Sequence, residues 1–340
     1  MKRRGVTVLL GAVLVGILLA GILSAPVPYV ILGAGPTVDT VGGDDGKPII
    51  AVTGAPTSES AGQLRLTTVG VQARTDLIAA IGAWFDRSRA VVPREMIYPA
   101  GRDEKEVDQQ NAEDFKESQT SAETVALREL GYPAQTVVAN VVADSPAASA
   151  LRNDDVIIAI DGTPIEHKGQ LIAAVQDKPA GAAFAVRYRR DGKEATATIT
   201  SRADGKDKTP RIGVEVSQRQ PKPFTITIKV AEDIGGPSAG LMFALGIIDK
   251  LRPEDLTGGK SIAGTGTIDD GGNVGPIGGI PQKLVGARAA GARYFLAPAD
   301  NCAEAKASPV PGLTVARVAT IDDALAALAA IREGRDVAGC

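Results

Sequence analysis

The sequence predicts an α+β fold preceded by a membrane-spanning helix, and three patterns indicate it. Short stretches in which apolar and polar residues alternate, as they do in half-buried strands, recur along the chain. Between them lie segments with apolar residues at helical spacing. Ahead of all these, the segment from Val6 to Leu23 is nearly all apolar and carries no charge. A chain of 340 residues is long enough for two or three domains, each with its own core.

The composition limits the classes of function. A net charge of −3 and the lack of a dense basic cluster argue against a nucleic-acid partner. Two cysteines and one histidine do not make a familiar zinc site. Gly258-Gly259-Lys260-Ser261 ends like a phosphate-binding loop, but Glu254 stands where that loop requires its first glycine. We therefore expect neither nucleic acid nor a cofactor. Cys302 and Cys340 could pair outside the cytoplasm, although free thiols are equally compatible with the sequence.

Residues 1–30 are expected to form an N-terminal membrane anchor. The apolar run is near the lower limit of ~20 residues for a spanning helix. Lys2, Arg3 and Arg4 precede it, so the positive-inside rule predicts a cytoplasmic N-terminus and an extracytoplasmic remainder on a single-pass protein. The alternative is a cleaved signal peptide, but the segment Leu23-Ser-Ala-Pro26 is a poor cleavage site.

Residues 31–131 are predicted to form the first part of a mixed domain. The segment from Gly62 to Val71 alternates as a strand does. Thr75 is expected to cap a helix from Asp76 to about Arg87. A longer helix is expected from about Glu104 to Leu130. The apolar residues of the shorter helix share one side, and they are Leu77, Ile78, Ile81, Trp84 and Phe85.

Residues 132–206 read as a compact unit of short strands and one short helix. It contains Asp144-Ser-Pro-Ala147 and Asp155-Val-Ile-Ile-Ala-Ile-Asp-Gly162, followed by a helix and a hairpin. These pieces resemble a PDZ domain of the kind attached to bacterial envelope proteases. The resemblance implies binding of peptide C-termini by strand addition. Leu130-Gly131-Tyr132 stands where the carboxylate-binding loop is expected. His167 lies in this unit, and we expect it to be a solvent-exposed or core histidine and not a catalytic one.

Residues 207–340 contain the segments that carry chemistry. Gly236-Pro-Ser-Ala-Gly240 places Ser238 on a glycine-rich turn that leads into an apolar helix. Backbone N–H groups at such a helix start could stabilise an oxyanion. Lys283 lies just inside another helix that begins at Pro281. Burial there would lower its pKa and make it a general base. The alternatives are a serine that only caps a helix and a lysine on a solvated helix face.

The two segments resemble the proteolytic domain of the Lon family of Ser-Lys peptidases. Its nucleophile motif, Gly-Pro-Ser-Ala-Gly, is present at 236–240, and its lysine motif ends Ile277-Gly-Gly-Ile-Pro-Gln-Lys283. The resemblance implies Ser238 as nucleophile, Lys283 as base and Thr265, from a Thr-Gly pair, as a supporting hydroxyl. The family usually has an acidic residue where this chain has Gly235, and Asp233 is the nearest acid.

The whole arrangement resembles the PDZ-containing, membrane-anchored, Lon-type proteins of Gram-positive bacteria, with the PDZ unit inserted into a split Lon-like domain. It implies an ATP-independent serine endopeptidase acting on envelope or extracytoplasmic proteins that are unfolded or flexible. The PDZ domain would select these substrates through their C-termini or gate the site. The alternative is a non-catalytic PDZ adaptor or a peptide sensor on a Lon-like scaffold. The sequence leaves open whether the chain forms a homo-oligomer.

Overall fold

The computed structural model describes residues 2–43, 47–86, 88–205, 208–231 and 234–340. The chain opens with α1 (Lys2–Leu23). Among the helices within these ranges, none combines the length and the apolar character that crossing a bilayer requires. The membrane-spanning helix predicted from the sequence is therefore not supported.

The segment from Pro26 to Glu129 supplies the first part of the central domain. Its elements are β1 (Pro26–Val27), β2 (Tyr29–Asp39), β3 (Ile50–Thr53), β4 (Gln63–Gln72), β5 (Thr75–Asp76), α2 (Leu77–Trp84), β6 (Ala90–Pro93) and α3 (Glu104–Glu129). The strand and the long helix predicted from the sequence correspond to β4 and α3. The predicted cap of α2 is wrong, because the carboxylate of Asp76, and not Thr75, accepts the hydrogen bond from the Ala79 amide.

The apolar side predicted for α2 does not face a core. Trp84 and Phe85 are 73% and 83% exposed, and Ile78 and Ile81 are also exposed. The periodicity identified which residues share a side of α2, and among the described residues most of that side is exposed to solvent.

The middle of the chain forms a second sheet. Its elements are β7 (Gln135–Val141), β8 (Val156–Ile160), β9 (Thr163–Pro164), α4 (Lys168–Gln176), β10 (Ala183–Arg190), β11 (Lys193–Thr200), β12 (Arg202–Asp204), β13 (Thr209–Arg211) and β14 (Val214–Arg219). The strand order is β11-β10-β8-β7-β14, with β9 beside β8 and β12 paired separately with β13. Apolar residues such as Phe184 and Ile160 fill a core between this sheet and α4. The sheet continues past residue 206, because β14 pairs with β7.

The last third of the chain completes the central domain. Its elements are β15 (Thr225–Ile228), α5 (Gly240–Leu251), β16 (Ser261–Gly264), β17 (Thr267–Ile268), β18 (Val274–Gly275), α6 (Ile280–Ala289), β19 (Tyr294–Pro298), α7 (Cys302–Ala307), β20 (Thr314–Val318) and α8 (Ile321–Glu333). A 3-10 turn at Pro237–Ala239 precedes α5, and another at Ala299–Asn301 precedes α7. The two helices predicted around Ser238 and Lys283 correspond to α5 and α6.

The central sheet joins strands from both sides of the middle unit. Its order is β20-β19-β16-β4-β2-β6, and β4 pairs in parallel with β16 across nearly two hundred residues of sequence. Side chains alternate between its faces. Ile262 packs with α3, α5 and α8 on one face, whereas Ala263 packs with α6 and α7 on the other. The sheet therefore lies between two helical layers, and α5 is buried along most of its length.

A disulfide joins Cys302 at the start of α7 to Cys340, with Cα atoms 5.0 Å apart. The last residues run along the edge of β20, where the Arg317 amide donates to the Ala338 carbonyl. The pairing that the sequence left undecided thus fixes the C-terminus against the central sheet.

Candidate active site

The nucleophile candidate, Ser238, lies in the 3-10 turn that leads into α5. Gly236 has a φ of 81°, a left-handed conformation that favours glycine. Its amide donates to the Asn111 carbonyl of α3 at 2.8 Å, which fixes the turn against that helix. Ser238 is only partly buried, so its hydroxyl remains within reach of a substrate. The positive end of α5 begins two residues further on.

The base candidate, Lys283, lies in the first turn of α6. Gly279 precedes this helix in a left-handed conformation, with φ 74°. The side chain of Lys283 is only 3% exposed, and its neighbours Ile280 and Leu284 are buried in the core under the sheet. Removal from water disfavours the ammonium ion, and this burial lowers the pKa of Lys283 from 10.5 to about 7.

Thr265 follows directly after β16 and completes the cluster. Nζ of Lys283 lies 2.9 Å from Oγ of Ser238 and 2.8 Å from Oγ1 of Thr265. The Thr265 hydroxyl donates to the Ser238 carbonyl at 3.0 Å, and the Gly266 amide donates to the same carbonyl at 2.9 Å. The three residues named from the sequence therefore meet at one point, although 18 and 45 positions separate Lys283 from its partners.

The direction of these hydrogen bonds determines what the cluster can do. Since the Thr265 hydrogen is committed to the Ser238 carbonyl, its oxygen accepts one N–H of Lys283. Once Lys283 is neutral, its nitrogen has a lone pair to receive the hydroxyl proton of Ser238. A pKa near 7 makes the neutral form abundant at neutral pH. The geometry therefore suits proton removal from a serine nucleophile by a lysine.

Helix α3 contributes contacts that the sequence motifs did not indicate. The buried hydroxyl of Ser118 donates to the Pro237 carbonyl at 2.9 Å. Ser121 donates to Asp270 at 2.8 Å, in the turn that links β17 and β18. A methyl group at Gly240 would approach Ser118 Oγ to 2.8 Å, so α3 and α5 pack closely here. None of the motifs quoted from the sequence points to Ser118, whose partner Pro237 lies 119 positions away in the chain.

Three other residues were named from the sequence, and they are Asp233, Gly235 and His167. Asp233 is outside the described residues, and Gly235 packs against Asn111. His167 begins α4 and lines a cleft between the middle unit and the central domain, of about 770 Å³, that also borders Pro237. The side chain that contacts Oγ of Ser238 is Lys283 and not His167.

A groove of about 540 Å³ runs between α4 and β14 in the middle unit. Leu171 and Val175 line one side, and Ile212, Val214 and Val216 line the other. The location predicted for the carboxylate-binding loop, Leu130-Gly131-Tyr132, is wrong. These residues follow the end of α3 and do not border the groove. The segment before β14 that lines the groove runs instead from Pro210, within β13, to Gly213, which has a positive φ.

Two family models match this chain. A PDZ domain model matches residues 107–200, beginning within α3. A model of the Lon protease (S16) C-terminal proteolytic domain matches residues 215–330, which include Ser238, Thr265 and Lys283.

Individual relatives agree with these models. The chain is 33% identical over 153 residues to a Lon protease of Phenylobacterium zucineum, covering 45% of this chain and 18% of that protein. It is 39% identical over 103 residues to Lon protease 1 of Sorangium cellulosum, covering 29% and 12%. A probable periplasmic serine endoprotease, DegP-like, of Marinomonas is 31% identical over 99 residues, covering 29% and 21%. The chain thus spans less than a fifth of either Lon protease. It contains a PDZ domain and a Lon-type C-terminal proteolytic domain.

Proposed function

We propose that this chain is an ATP-independent serine endopeptidase that works through a Ser238–Lys283 dyad with Thr265 in support. One observation carries the proposal. A lysine buried enough to be neutral near pH 7 lies within hydrogen-bond distance of a serine on an accessible turn. A solvated lysine on a helix face would have neither property.

In the proposed reaction, neutral Lys283 takes the proton of Ser238 as Oγ attacks the carbonyl carbon of a peptide bond. The lysine then protonates the leaving amine, and an ester joins Ser238 to the acyl half of the substrate. A water molecule, deprotonated by the same lysine, hydrolyses that ester and restores the serine. Thr265 keeps one N–H of the lysine engaged, so that the lone pair points to Ser238.

The proposed substrates are unfolded or flexible proteins. No segment of the sequence completes an ATPase phosphate-binding motif, so the proposal includes no unfolding step of its own. The apolar groove between α4 and β14 supports PDZ recognition of an extended peptide, because β14 ends its sheet among the described strands. Such binding would select substrates or gate the nearby cleft.

We propose that the catalytic domain lies outside the cytoplasm. The disulfide between Cys302 and Cys340 supports this location, since such bonds persist in oxidising compartments. The expectation of a cytoplasmic N-terminus rests on the sequence alone, on Lys2, Arg3 and Arg4 and the positive-inside rule, because the described structure does not support a spanning helix there. A protease added outside intact cells should then digest residues after 30 and spare a tag placed before Lys2. Full protection of the catalytic domain would refute this location.

A fluorophosphonate probe carrying a fluorophore tests the catalytic assignment without knowledge of the substrate. The probe should label the wild type, and Ser238→Ala and Lys283→Ala should each abolish labelling and hydrolysis of unfolded casein. Thr265→Ala should lower both rates less. His167→Ala is the control and should react as the wild type does. A folded wild type that neither reacts with the probe nor cleaves casein would favour the non-catalytic PDZ adaptor or sensor instead.

A further inference from the structure

The buried side chain of Asn301 holds the backbone that leads to the catalytic lysine. Its Oδ1 accepts a hydrogen bond from the Ile277 amide at 2.9 Å, and its Nδ2 donates to the Ile277 carbonyl at 2.9 Å. Asn301 is only 7% exposed. A primary amide thus pairs with both polar groups of one residue, as a neighbouring strand would.

This pairing matters because α6 has no side chain that caps its start. Gly279 occupies the N-cap position without a side-chain hydrogen bond, and Lys283 lies in the turn that follows. A methyl group at Gly279 would come within 2.6 Å of Val69, so the chain also passes close to β4 here. The position of the first turn of α6 therefore depends on how the preceding loop is held.

The segment that carries Asn301 is itself firmly placed. It follows β19, which lies inside the central sheet, and it precedes Cys302, whose disulfide joins Cys340. The Leu296 carbonyl of β19 also accepts a hydrogen bond from the Thr265 amide. Thr265 is thus bonded to the same strand that leads into the turn carrying Asn301.

We propose that Asn301 is a positioning residue that keeps Nζ of Lys283 in its buried place between Ser238 and Thr265. The inference rests on the proposed Ser-Lys function and extends it to a residue outside the Lon motifs quoted above. Without the amide, both polar groups of Ile277 lose their partner, and the loop and first turn of α6 are free to move towards water.

Two consequences follow from such a movement. A displacement of about 1 Å at a catalytic group lowers rates by roughly 100-fold. A lysine that gains water also regains a pKa closer to its ordinary value, so that less of it is neutral at pH 7. Loss of activity in an Asn301 variant should therefore be partly reversed at higher pH, which a simple loss of folded protein would not be.

The test measures the rate constant of fluorophosphonate inactivation from pH 5 to 10 in the full-length chain. Asn301→Ala should react about 10- to 100-fold more slowly than the wild type at pH 7, with the midpoint of its pH profile at least about one unit higher. The probe concentration at half-maximal rate should change little. Asn301→Asp is nearly isosteric and keeps an acceptor for the Ile277 amide, but when ionised it cannot donate to the Ile277 carbonyl. The midpoint of its pH profile should therefore shift upward as in Asn301→Ala. Asn301→Asp provides the test if Asn301→Ala does not fold.

Asn153→Ala is the matched control, since it also removes an asparagine that accepts from a backbone amide, that of Val141, but far from the lysine. It should leave the profile unchanged. The positioning role would be overturned if the Asn301 variants kept the wild-type midpoint of the pH profile. It would also be overturned if their inactivation rates were reduced by the same factor at every pH. Failure of the wild type to react at all would instead refute the proposed function.

Discussion

In the proposed reaction, proton transfer to Lys283 should make the activity depend on pH in a defined direction. Burial lowers its pKa from 10.5 to about 7, so about half of the molecules hold a neutral base at pH 7 and roughly a tenth do at pH 6. An unperturbed lysine would be neutral in only roughly 1 molecule in 3,000 at pH 7. Burial therefore increases the competent fraction by roughly a thousandfold, and activity should be lost as pH falls through 7.

The assay is the rate of casein cleavage, or of fluorophosphonate labelling, between pH 5 and 10. Below pH 7 the rate should fall about tenfold per unit, and above pH 8 it should level off. Lys283→Arg should be inactive throughout, because a guanidinium does not deprotonate in this range. His167→Ala should leave the midpoint where it is.

Three results would refute this reasoning. The first is a rate that does not vary between pH 5 and 8. The second is a midpoint that moves when His167 is replaced, which would mean that the histidine is the base. The third is wild-type turnover in Lys283→Arg.

Three further predictions concern stability and support of the site. Because the folded state disfavours the charged form of Lys283, the lysine lowers the free energy of unfolding by at most ~4–5 kcal/mol below pH 7, and this loss fades between pH 7 and 10.5. Lys283→Met should therefore raise the free energy of urea unfolding at pH 6 but not at pH 10.5. Equal effects at both pH values would contradict this. Ser118→Ala removes the hydrogen bond to the Pro237 carbonyl. It should lower the free energy of unfolding by about 1–3 kcal/mol and the labelling rate about tenfold, without moving the pH midpoint. A wild-type labelling rate would contradict the role of Ser118 in supporting the Ser238 turn. Reducing the Cys302–Cys340 disulfide, which spans 38 positions, should lower the free energy of unfolding of the wild type by up to ~4 kcal/mol. The stability of Cys340→Ser should not respond to reductant. A wild type whose stability is also unaffected would show that the bond is not formed.

Local sequence patterns were sufficient to predict most elements around the site. A glycine-rich turn before an apolar run predicts that Ser238 begins a buried helix, and α5 is that helix. Alternating and helical periodicities predicted β4 and α3 because each reflects the face that the element buries. Gly33, Gly35 and Pro36 interrupt the alternation in β2, so the sequence indicated extended chain there but not one continuous strand of 11 residues. For α2 the pattern identified the apolar side but not its exposure to solvent, since periodicity does not reveal whether a covering element exists.

The residues of the candidate site were named from the sequence alone, since the motifs contain Ser238, Lys283 and Thr265. Whether that lysine can act as a base was decided only by the tertiary structure. Its pKa depends on burial, and burial comes from α6 packing under a sheet whose strands are distant in the chain. The supporting contacts of Ser118 and Asn301 have the same origin, because they reach across 119 and 24 positions. A motif specifies which atoms are present, whereas solvent exclusion and interatomic distance arise from the packing of segments that no local pattern connects.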